Sequence, residues 1–111
     1  MKTIDHIAIL VEDLEKSQQW YEKNCHAELV FSDYKYKRMK MNNTTIALID
    51  KNHYEYAHIG IIVEKYSDLP SSLGQLQKHR DGTTGCYVKD PDGNVVEFIY
   101  YDEKCKKDIK V

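Results

Sequence analysis

Two histidines open matching segments of this chain. Residues 6–12 read HIAILVE and residues 58–64 read HIGIIVE, so five of seven positions are identical at an offset of 52 residues. Self-similarity at a fixed offset indicates that one structural unit is used twice. A single histidine of this kind is most simply a hydrogen-bonded, half-buried side chain. Two imidazoles at equivalent repeat positions favour a shared ligand, and His6 and His58 are therefore candidate metal ligands.

Both segments alternate and are rich in β-branched residues, which predicts strands. Side chains of a strand point to opposite faces in turn. Each strand then has one face of isoleucine and valine, suited to packing under a helix. The other face carries the histidine with a small residue two positions later, Ala8 or Gly60, which leaves space beside the imidazole. This arrangement favours a cavity over a filled core.

A carboxylate can complete the set. On the last predicted strand Glu97 lies between Val96 and Phe98. Phe98 belongs with the core, so Glu97 faces the histidine side, where an unpaired buried carboxylate would be costly. An ion pair with Arg38 or Arg80 is the alternative to a metal.

Two neutral imidazoles and one carboxylate suit a divalent ion with open coordination positions, namely Fe, Mn, Zn or Ni. The repeat also indicates where a fourth ligand would lie, on the last strand of the first copy. Ala47 occupies that position, so His6, His58 and Glu97 are the predicted metal ligands.

The elements that position these residues form two βαβββ modules, about 1–50 and 57–101, within a single domain of residues 1–111. Asp13 caps a predicted helix over residues 14–24. A second helix is predicted from Ser67 or Asp68 to about residues 78–80, because its leucines have helical spacing. The predicted strands cover residues 4–11, 28–32, 35–41, 45–49, 57–63, 84–89 and 95–101, and the leucines are Leu69, Leu73 and Leu76.

The second copy has less room for its first short strand, which is expected near residues 78–83 or as a vestige. Residues 90–93 read DPDG, which predicts a type I turn closed by a left-handed glycine. The fold class is therefore α+β, with a mixed sheet, helices on one face and a concave cup on the other. Residues 102–111 form a charged tail.

Composition restricts the function. The net charge is −2, and without a basic stripe a nucleic-acid surface is not expected. The basic residues between positions 35 and 40 are interpreted as a solvated strand face. Three widely spaced cysteines give neither a disulfide framework nor a CxxC pair, which favours a reduced, cytoplasmic compartment. Because no apolar stretch is long enough to span a bilayer, no membrane contact is expected.

These motifs resemble the vicinal oxygen chelate superfamily, which includes glyoxalase I, extradiol dioxygenases, and fosfomycin- and bleomycin-resistance proteins. The similarity rests on the two histidine strands, the helix segment 17–21 and DPDGNVVE at residues 90–97. It extends to about Tyr100 and implies the glyoxalase/bleomycin-resistance/dioxygenase fold. It also implies metal ligands at His6, His58 and Glu97, and frequent dimerisation.

The resemblance implies a metal-dependent dioxygenase, lyase or transferase whose small substrate chelates the metal through oxygens. Glyoxalase I has a glutamate ligand where Ala47 lies, so dioxygenase-like or fosfomycin-transferase-like chemistry is expected instead. A metal-free drug-binding protein of the bleomycin-resistance type is the alternative. Tyr36, Arg38 and Tyr87 are candidate catalytic residues, since arginine can bind an anionic group and tyrosine can donate to an oxyanion. Arg80, Thr83 and Thr84 are further residues that could line the cup, and a surface role for each remains an alternative.

Overall fold

A computed structural model describes residues 1–102 of the chain. The predicted charged tail lies outside the described residues apart from Asp102. The elements in chain order are β1 (Thr3–Val11), α1 (Leu14–Cys25), β2 (Glu28–Ser32), β3 (Tyr36–Lys40), β4 (Thr45–Asp50), β5 (His58–Val63), a 3-10 turn (Tyr66–Asp68), β6 (Leu76–Lys78), β7 (Thr84–Lys89) and β8 (Val95–Tyr100).

The strands form one mixed sheet in the order β2-β3-β4-β1-β5-β8-β7-β6. Within each copy of the repeat the first and last strands are parallel, β1 with β4 and β5 with β8. The short strands pair antiparallel. Among the described residues the sheet is open, with β2 and β6 at its ends. The predicted α+β fold with a mixed sheet is confirmed.

The chain divides into two compact units. The N-terminal unit comprises residues 6–57, and the C-terminal unit comprises residues 1–5 together with the chain from His58 onward. Strand β1 begins in the C-terminal unit and continues into the N-terminal unit at His6. Each unit has its own buried cluster of apolar side chains.

The N-terminal unit contains the α-helix that the sequence predicts. Asp13 caps α1 by accepting a hydrogen bond from the Lys16 backbone N–H at 3.0 Å. The helix ends at Cys25, and the capping residue His26 adopts the left-handed conformation with φ 53°. Ile9 and Val11 of β1 pack on the same cluster as Leu14 and Tyr21 of the helix. The β-branched face of β1 therefore lies under the helix, as predicted.

Strand β3 departs from its predicted solvated character. Lys37 and Arg38 are 6% and 8% exposed, although they lie on opposite faces of the strand. Lys37 extends along the helix side, where its Nζ lies 2.8 Å from Glu15 Oε1 and donates to Ser32 Oγ. Its aliphatic stem is buried while its ammonium reaches polar partners. The prediction of a solvated face is wrong because helix α1 covers one side of the strand.

The second predicted helix does not form in the described segment 67–80. The 3-10 turn after β5 and strand β6 occupy this segment instead. Of the three leucines with helical spacing, Leu69 is 5% exposed but Leu73 is 72% exposed, so they share no buried face. Gly74 lies against β7 so closely that a Cβ there would collide with the Tyr87 carbonyl oxygen. The chain here runs beside β7 and pairs with it as β6 from Leu76 onward, so it extends where a helix is predicted.

Strand β6 and two hairpins complete the C-terminal unit. The predicted short strand exists, but at Leu76–Lys78 rather than near residues 78–83. The β7–β8 turn has the predicted form, with Gly93 at φ 89° and its N–H bonded to the Asp90 carbonyl. The β6–β7 connection repeats this design, with Gly82 at φ 92° bonded to the His79 carbonyl.

No helix in the described residues is long and apolar enough to cross a membrane.

Candidate metal centre

Glu97 is held at the centre of the C-terminal unit by a strand on each side. It lies opposite Gly60 of β5 in the parallel pair and opposite Tyr87 of β7 in the antiparallel pair. The residue is 2% exposed, and its Oε1 lies 3.4 Å from His58 Nε2. Phe98, its neighbour in sequence, packs on the opposite face with Val63. The predicted burial of a carboxylate on the histidine side is confirmed.

The three predicted ligands offer one donor atom each within 4.8 Å of one another, from His6, His58 and Glu97. The spacing of His58 Nε2 and Glu97 Oε1 fits a metal better than a direct hydrogen bond. At 3.4 Å it exceeds the usual N–H···O range of about 2.7–3.2 Å. Two atoms that each lie about 2.0–2.1 Å from a tetrahedral ion are about 3.3–3.4 Å apart. The residues therefore fit a divalent metal.

A third histidine, which the sequence reasoning missed, contacts the other oxygen of the same carboxylate. His79 Nε2 lies 2.5 Å from Glu97 Oε2. The imidazoles of His58 and His79 therefore both lie beside the Glu97 carboxylate. The available signal was the Asp81-Gly82 pair, which indicates a hairpin. The predicted helix, which extended to about residues 78–80, overlapped the start of this hairpin and concealed the signal.

Tyr87 stands beside the carboxylate and touches both imidazoles of the C-terminal unit. Its ring meets His58 edge-on at a centroid distance of 5.3 Å and His79 at 6.1 Å. Because Tyr87 lies opposite Glu97 in the β7–β8 register, its side chain shares the carboxylate's face. The ring is thus placed to fix the orientation of the histidines.

Arg38 lies on the histidine face of the N-terminal unit. It is directly opposite Ala47 in the β3–β4 pair, and its Nε donates to Thr45 Oγ1 at 3.1 Å. Thr45 is in turn the parallel partner of His6. The guanidinium is therefore anchored one strand away from the strand that carries His6.

Tyr36, the other predicted catalytic residue of this unit, lies in apolar surroundings. It packs against the cluster of Ala8, Ala47 and Ile49 and stacks on Phe31 at 5.1 Å. Ala47 lies opposite Ala8, as Glu97 lies opposite Gly60 in the other copy. The register thus confirms that alanine occupies the position of the missing fourth carboxylate.

The buried cysteine of the C-terminal unit lies away from this site. Cys86 packs with Val63 and Leu69 on the face opposite Glu97, and its Sγ–H donates to the Pro70 carbonyl at 3.4 Å. Desolvation by burial raises the pKa of its thiol above the usual value of 9.0. Cys86 is therefore a core residue with little thiolate character.

No protein-family model matches the chain. It is 32% identical over 114 residues to the trivalent organoarsenical cleaving enzyme of Bacillus sp. strain MD1, an alignment that covers 86% of this chain and 71% of that enzyme. The chain belongs to the vicinal oxygen chelate superfamily. A second relative in the superfamily is metallothiol transferase FosB of Lysinibacillus sphaericus strain C3-41, 28% identical over 88% of this chain and 82% of the transferase.

Solved structures show the fold of the superfamily. Methylmalonyl-CoA epimerase from Mycobacterium tuberculosis superposes with a TM-score of 0.76, over 95% of this chain and 91% of the epimerase, at 14% identity. A glyoxalase/bleomycin resistance protein/dioxygenase superfamily member from Vibrio splendidus 12B01 gives 0.69, over 91% of this chain and its own full length, at 10% identity. The predicted superfamily fold is confirmed.

Proposed function

We propose that this protein is a divalent-metal-dependent enzyme whose small substrate chelates the metal through two oxygen atoms. The observation that carries the proposal is the convergence of donor atoms from His6, His58 and Glu97. A pure binding surface has no need of two imidazoles and a buried carboxylate at one point. Three protein ligands leave coordination positions for the substrate, since alanine occupies the position of a fourth.

A divalent ion bound there would act as a Lewis acid on the coordinated substrate oxygens. The chain's own residues position the substrate. Arg38 is proposed to bind its anionic group, because a guanidinium held by Thr45 is preoriented for an anion. Tyr87 is proposed to donate its hydroxyl hydrogen to the oxygen that gains negative charge. Tyr36, packed against alanines and isoleucine, is proposed to shape the apolar side of the substrate site.

Transfer of a thiol is the reaction we favour, in line with the metallothiol transferase relative. The thiol sulfur bonds to an electrophilic carbon of the substrate, a carbon–oxygen bond breaks, and the thiol proton ends on the released oxygen. The thiol would come from a second substrate: of the described cysteines, Cys25 ends helix α1 and Cys86 is buried in the core on the face opposite Glu97. The proposed role of Cys86 is therefore structural.

Cleavage of a trivalent organoarsenical is the second candidate. It is favoured by the 32% identity to the enzyme of that name, which exceeds the 28% identity to the transferase. Trivalent arsenic prefers soft sulfur ligands, and thiolate is the soft ligand that proteins supply. Among the described residues no cysteine lies beside the proposed metal ligands, since Cys86 is on the opposite face and Cys25 ends α1; we therefore favour a substrate with oxygen donors.

Metal analysis tests the first step of the proposal. Protein purified without chelator should contain close to one divalent ion per chain, and His58→Ala and Glu97→Gln should lose most of it. Glu64→Gln, at the exposed end of the equivalent repeat segment, is the matched control and should retain the metal. Equal metal content in all three variants would refute the assignment of ligands. A metal-free wild type that binds drugs would instead support a bleomycin-resistance type of function.

Activity assays separate the reactions. The metal-loaded protein should conjugate fosfomycin with glutathione or L-cysteine, and Arg38→Ala should raise the KM for fosfomycin more than it lowers kcat. Cleavage of a trivalent organoarsenical without thiol transfer would favour the second candidate. We expect negligible turnover of the methylglyoxal–glutathione adduct, because Ala47 supplies neither a ligand nor a base. Rapid turnover of that adduct, lost in His6→Ala, would contradict this expectation.

We also propose that the protein forms a homodimer and acts in the cytoplasm. The support for a dimer is strand β2, which ends the sheet order and exposes Leu29, Val30 and Phe31. Exposed apolar edge strands tend to pair with another chain. Sedimentation at micromolar concentration should give twice the chain mass, and replacement of Val30 by lysine should shift the equilibrium toward monomer. A monomeric wild type would disprove the dimer.

A further inference from the structure

The contact between His79 and Glu97 has a specific structural basis in the C-terminal unit. The two residues are carried by strands on opposite sides of β7, since β6 and its extension pair with one edge of β7 and β8 pairs with the other. Neighbouring strands are about 4.7–4.9 Å apart, so backbones two strands apart are separated by about 9–10 Å. Two side chains meet across that gap only if the strand between them presents little bulk.

Gly85 provides that opening. Gly85 and Tyr87 of β7 lie on the same face because side chains alternate along a strand, and Tyr87 lies opposite Glu97. A side chain at position 85 would therefore lie on the carboxylate's face. A Cβ at Gly85 would collide with Glu97 Oε2 and with His79 Nε2, the two atoms of the contact. Glycine is therefore required at position 85 so that His79 and Glu97 can approach each other, and not because the backbone angle there is unusual.

His79 is itself fixed by the hairpin. Its N–H donates to the Thr83 carbonyl at 2.8 Å and its carbonyl accepts from Gly82 at 3.0 Å. Asp81 accepts hydrogen bonds from both the N–H and the hydroxyl of Thr83. Tyr87 flanks the imidazole on the other side. A ring held in this way offers Nε2 in one direction, toward Oε2.

The two oxygens of Glu97 are thus divided between two tasks. Oε1 lies 3.4 Å from His58 Nε2, on the proposed metal side, and Oε2 lies 2.5 Å from His79 Nε2. An ionised carboxylate only accepts hydrogen bonds, so His79 Nε2 carries the hydrogen in this contact. Hydrogen bonds to a metal-ligating carboxylate orient it, and their loss typically lowers metal affinity about 10–100-fold.

We propose that His79 is a positioning residue that holds Glu97 as a one-oxygen metal ligand, and that Gly85 exists to permit this contact. The inference rests on the proposed metal function. It assigns His79 no place among the ligands, because its Nε2 is occupied by Oε2. The proposal predicts that changes at His79 and at Gly85 have the same effect on metal binding, because both residues are needed for the one contact with Glu97.

Metal titration against a chromophoric chelator tests the proposal with Zn²⁺ and Co²⁺. His79→Ala should weaken binding about 10–100-fold. His79→Gln should recover part of that loss, since an amide N–H can still donate to Oε2. Gly85→Ala should weaken binding to a similar extent with His79 still present. Because the two changes break one contact, the double variant should be little worse than either single variant.

Two controls make the result interpretable. Gln77→Ala changes an exposed residue opposite Gly85 on β6 and should leave affinity unchanged. Circular dichroism and thermal melting should show that His79→Ala retains the fold, which keeps the test valid if Gly85→Ala does not fold. The visible spectrum of the Co²⁺ protein should change in His79→Ala, because a freed carboxylate can bind through both oxygens.

The outcomes separate this inference from the proposed function. A wild type that binds no metal would refute both. Tight wild-type binding with unchanged affinity and Co²⁺ spectrum in His79→Ala would refute the positioning role alone. Three histidine nitrogens on the metal by X-ray absorption, with no rescue by His79→Gln, would make His79 a ligand and overturn the proposal.

Discussion

The two copies of the repeat place different side chains at the same register position. In the N-terminal unit Ala47 lies opposite Ala8, and in the C-terminal unit Glu97 lies opposite Gly60. One strand further out, Arg38 faces Ala47 while Tyr87 faces Glu97. The strand pairing is therefore the same in both copies, but the side chains at the equivalent positions differ in chemistry.

The contrast extends along the same strands. Tyr36 of β3 lies opposite Ile49, and its counterpart by register, Gly85 of β7, lies opposite Ile99. Tyr36 fills its position by packing on Ala47 and Ile49. Gly85 leaves its position open, which admits the contact between His79 and Glu97. The same register position is thus filled by a tyrosine ring in one unit and left open for a polar contact in the other. The C-terminal unit also carries two of the three proposed ligands, His58 and Glu97.

The two units also differ in what packs on the sheet face opposite the proposed ligands. Helix α1 packs Leu14 and Tyr21 onto the N-terminal cluster, whose Leu48 is fully buried. In the part of the chain that the structure describes, the C-terminal cluster of Val63, Leu69 and Cys86 is covered by a segment without an α-helix. A helix contributes a whole apolar stripe, whereas this segment contributes chiefly Leu69. We therefore expect the N-terminal core to be the more sensitive to truncation.

The largest expected effect tests that expectation directly. Leu48→Ala should lower the free energy of unfolding by about 3–5 kcal/mol, and Leu69→Ala by about 2–3 kcal/mol, because the thinner cover can relax into the cavity. Urea denaturation followed by circular dichroism measures both. Ile7→Ala, at a residue 38% exposed, is the control and should cost much less. A larger loss for Leu69→Ala would reverse the comparison.

The cover of the C-terminal core can also be examined by thiol reactivity. In native protein Cys86 should react with a disulfide reagent at least about tenfold more slowly than in urea, because the thiol is buried and its pKa is raised. A variant with Cys25 and Cys105 changed to serine isolates its reaction. Rapid labelling under native conditions would mean that residues 69–75 open frequently.

The same raised pKa gives a pH dependence with a definite sign. The folded state favours the neutral thiol, so the contribution of Cys86 to stability is complete below pH 9.0, the usual pKa. It is lost as the pH rises further, because only the unfolded chain ionises readily. Cys86→Ala should show a smaller decline in stability between pH 8 and pH 10 than the unchanged protein.

The smallest effect concerns the end of α1, which is the only α-helix in residues 1–102. His26 holds a left-handed conformation, which costs a residue with a Cβ about 1 kcal/mol relative to glycine. His26→Gly should therefore raise the free energy of unfolding by about 0.5–1 kcal/mol, and His26→Ala should not. Thermal melting of the two variants distinguishes them. A destabilised His26→Gly would indicate that the imidazole makes a contact worth more than the strain.

The sequence by itself determined the repeat, the strands that carry His6 and His58, the helix after Asp13 and the form of the β7–β8 turn. It also predicted that Glu97 is buried on the histidine side. These conclusions depend on periodicity and on local backbone preference, which a few neighbouring residues encode. The register then confirmed Ala47 as the counterpart of Glu97.

Only the tertiary structure decided that residues 69–76 form no α-helix, although their leucines have helical spacing. Gly74 lies against the Tyr87 carbonyl of β7, and from Leu76 the chain pairs with β7 as a strand. Burial of Lys37 beneath α1 likewise depends on a distant element. The contact of His79 with Glu97 requires the pairing of three strands and the gap at Gly85. Such contacts join residues far apart in sequence, and no local pattern records which strand will lie between them.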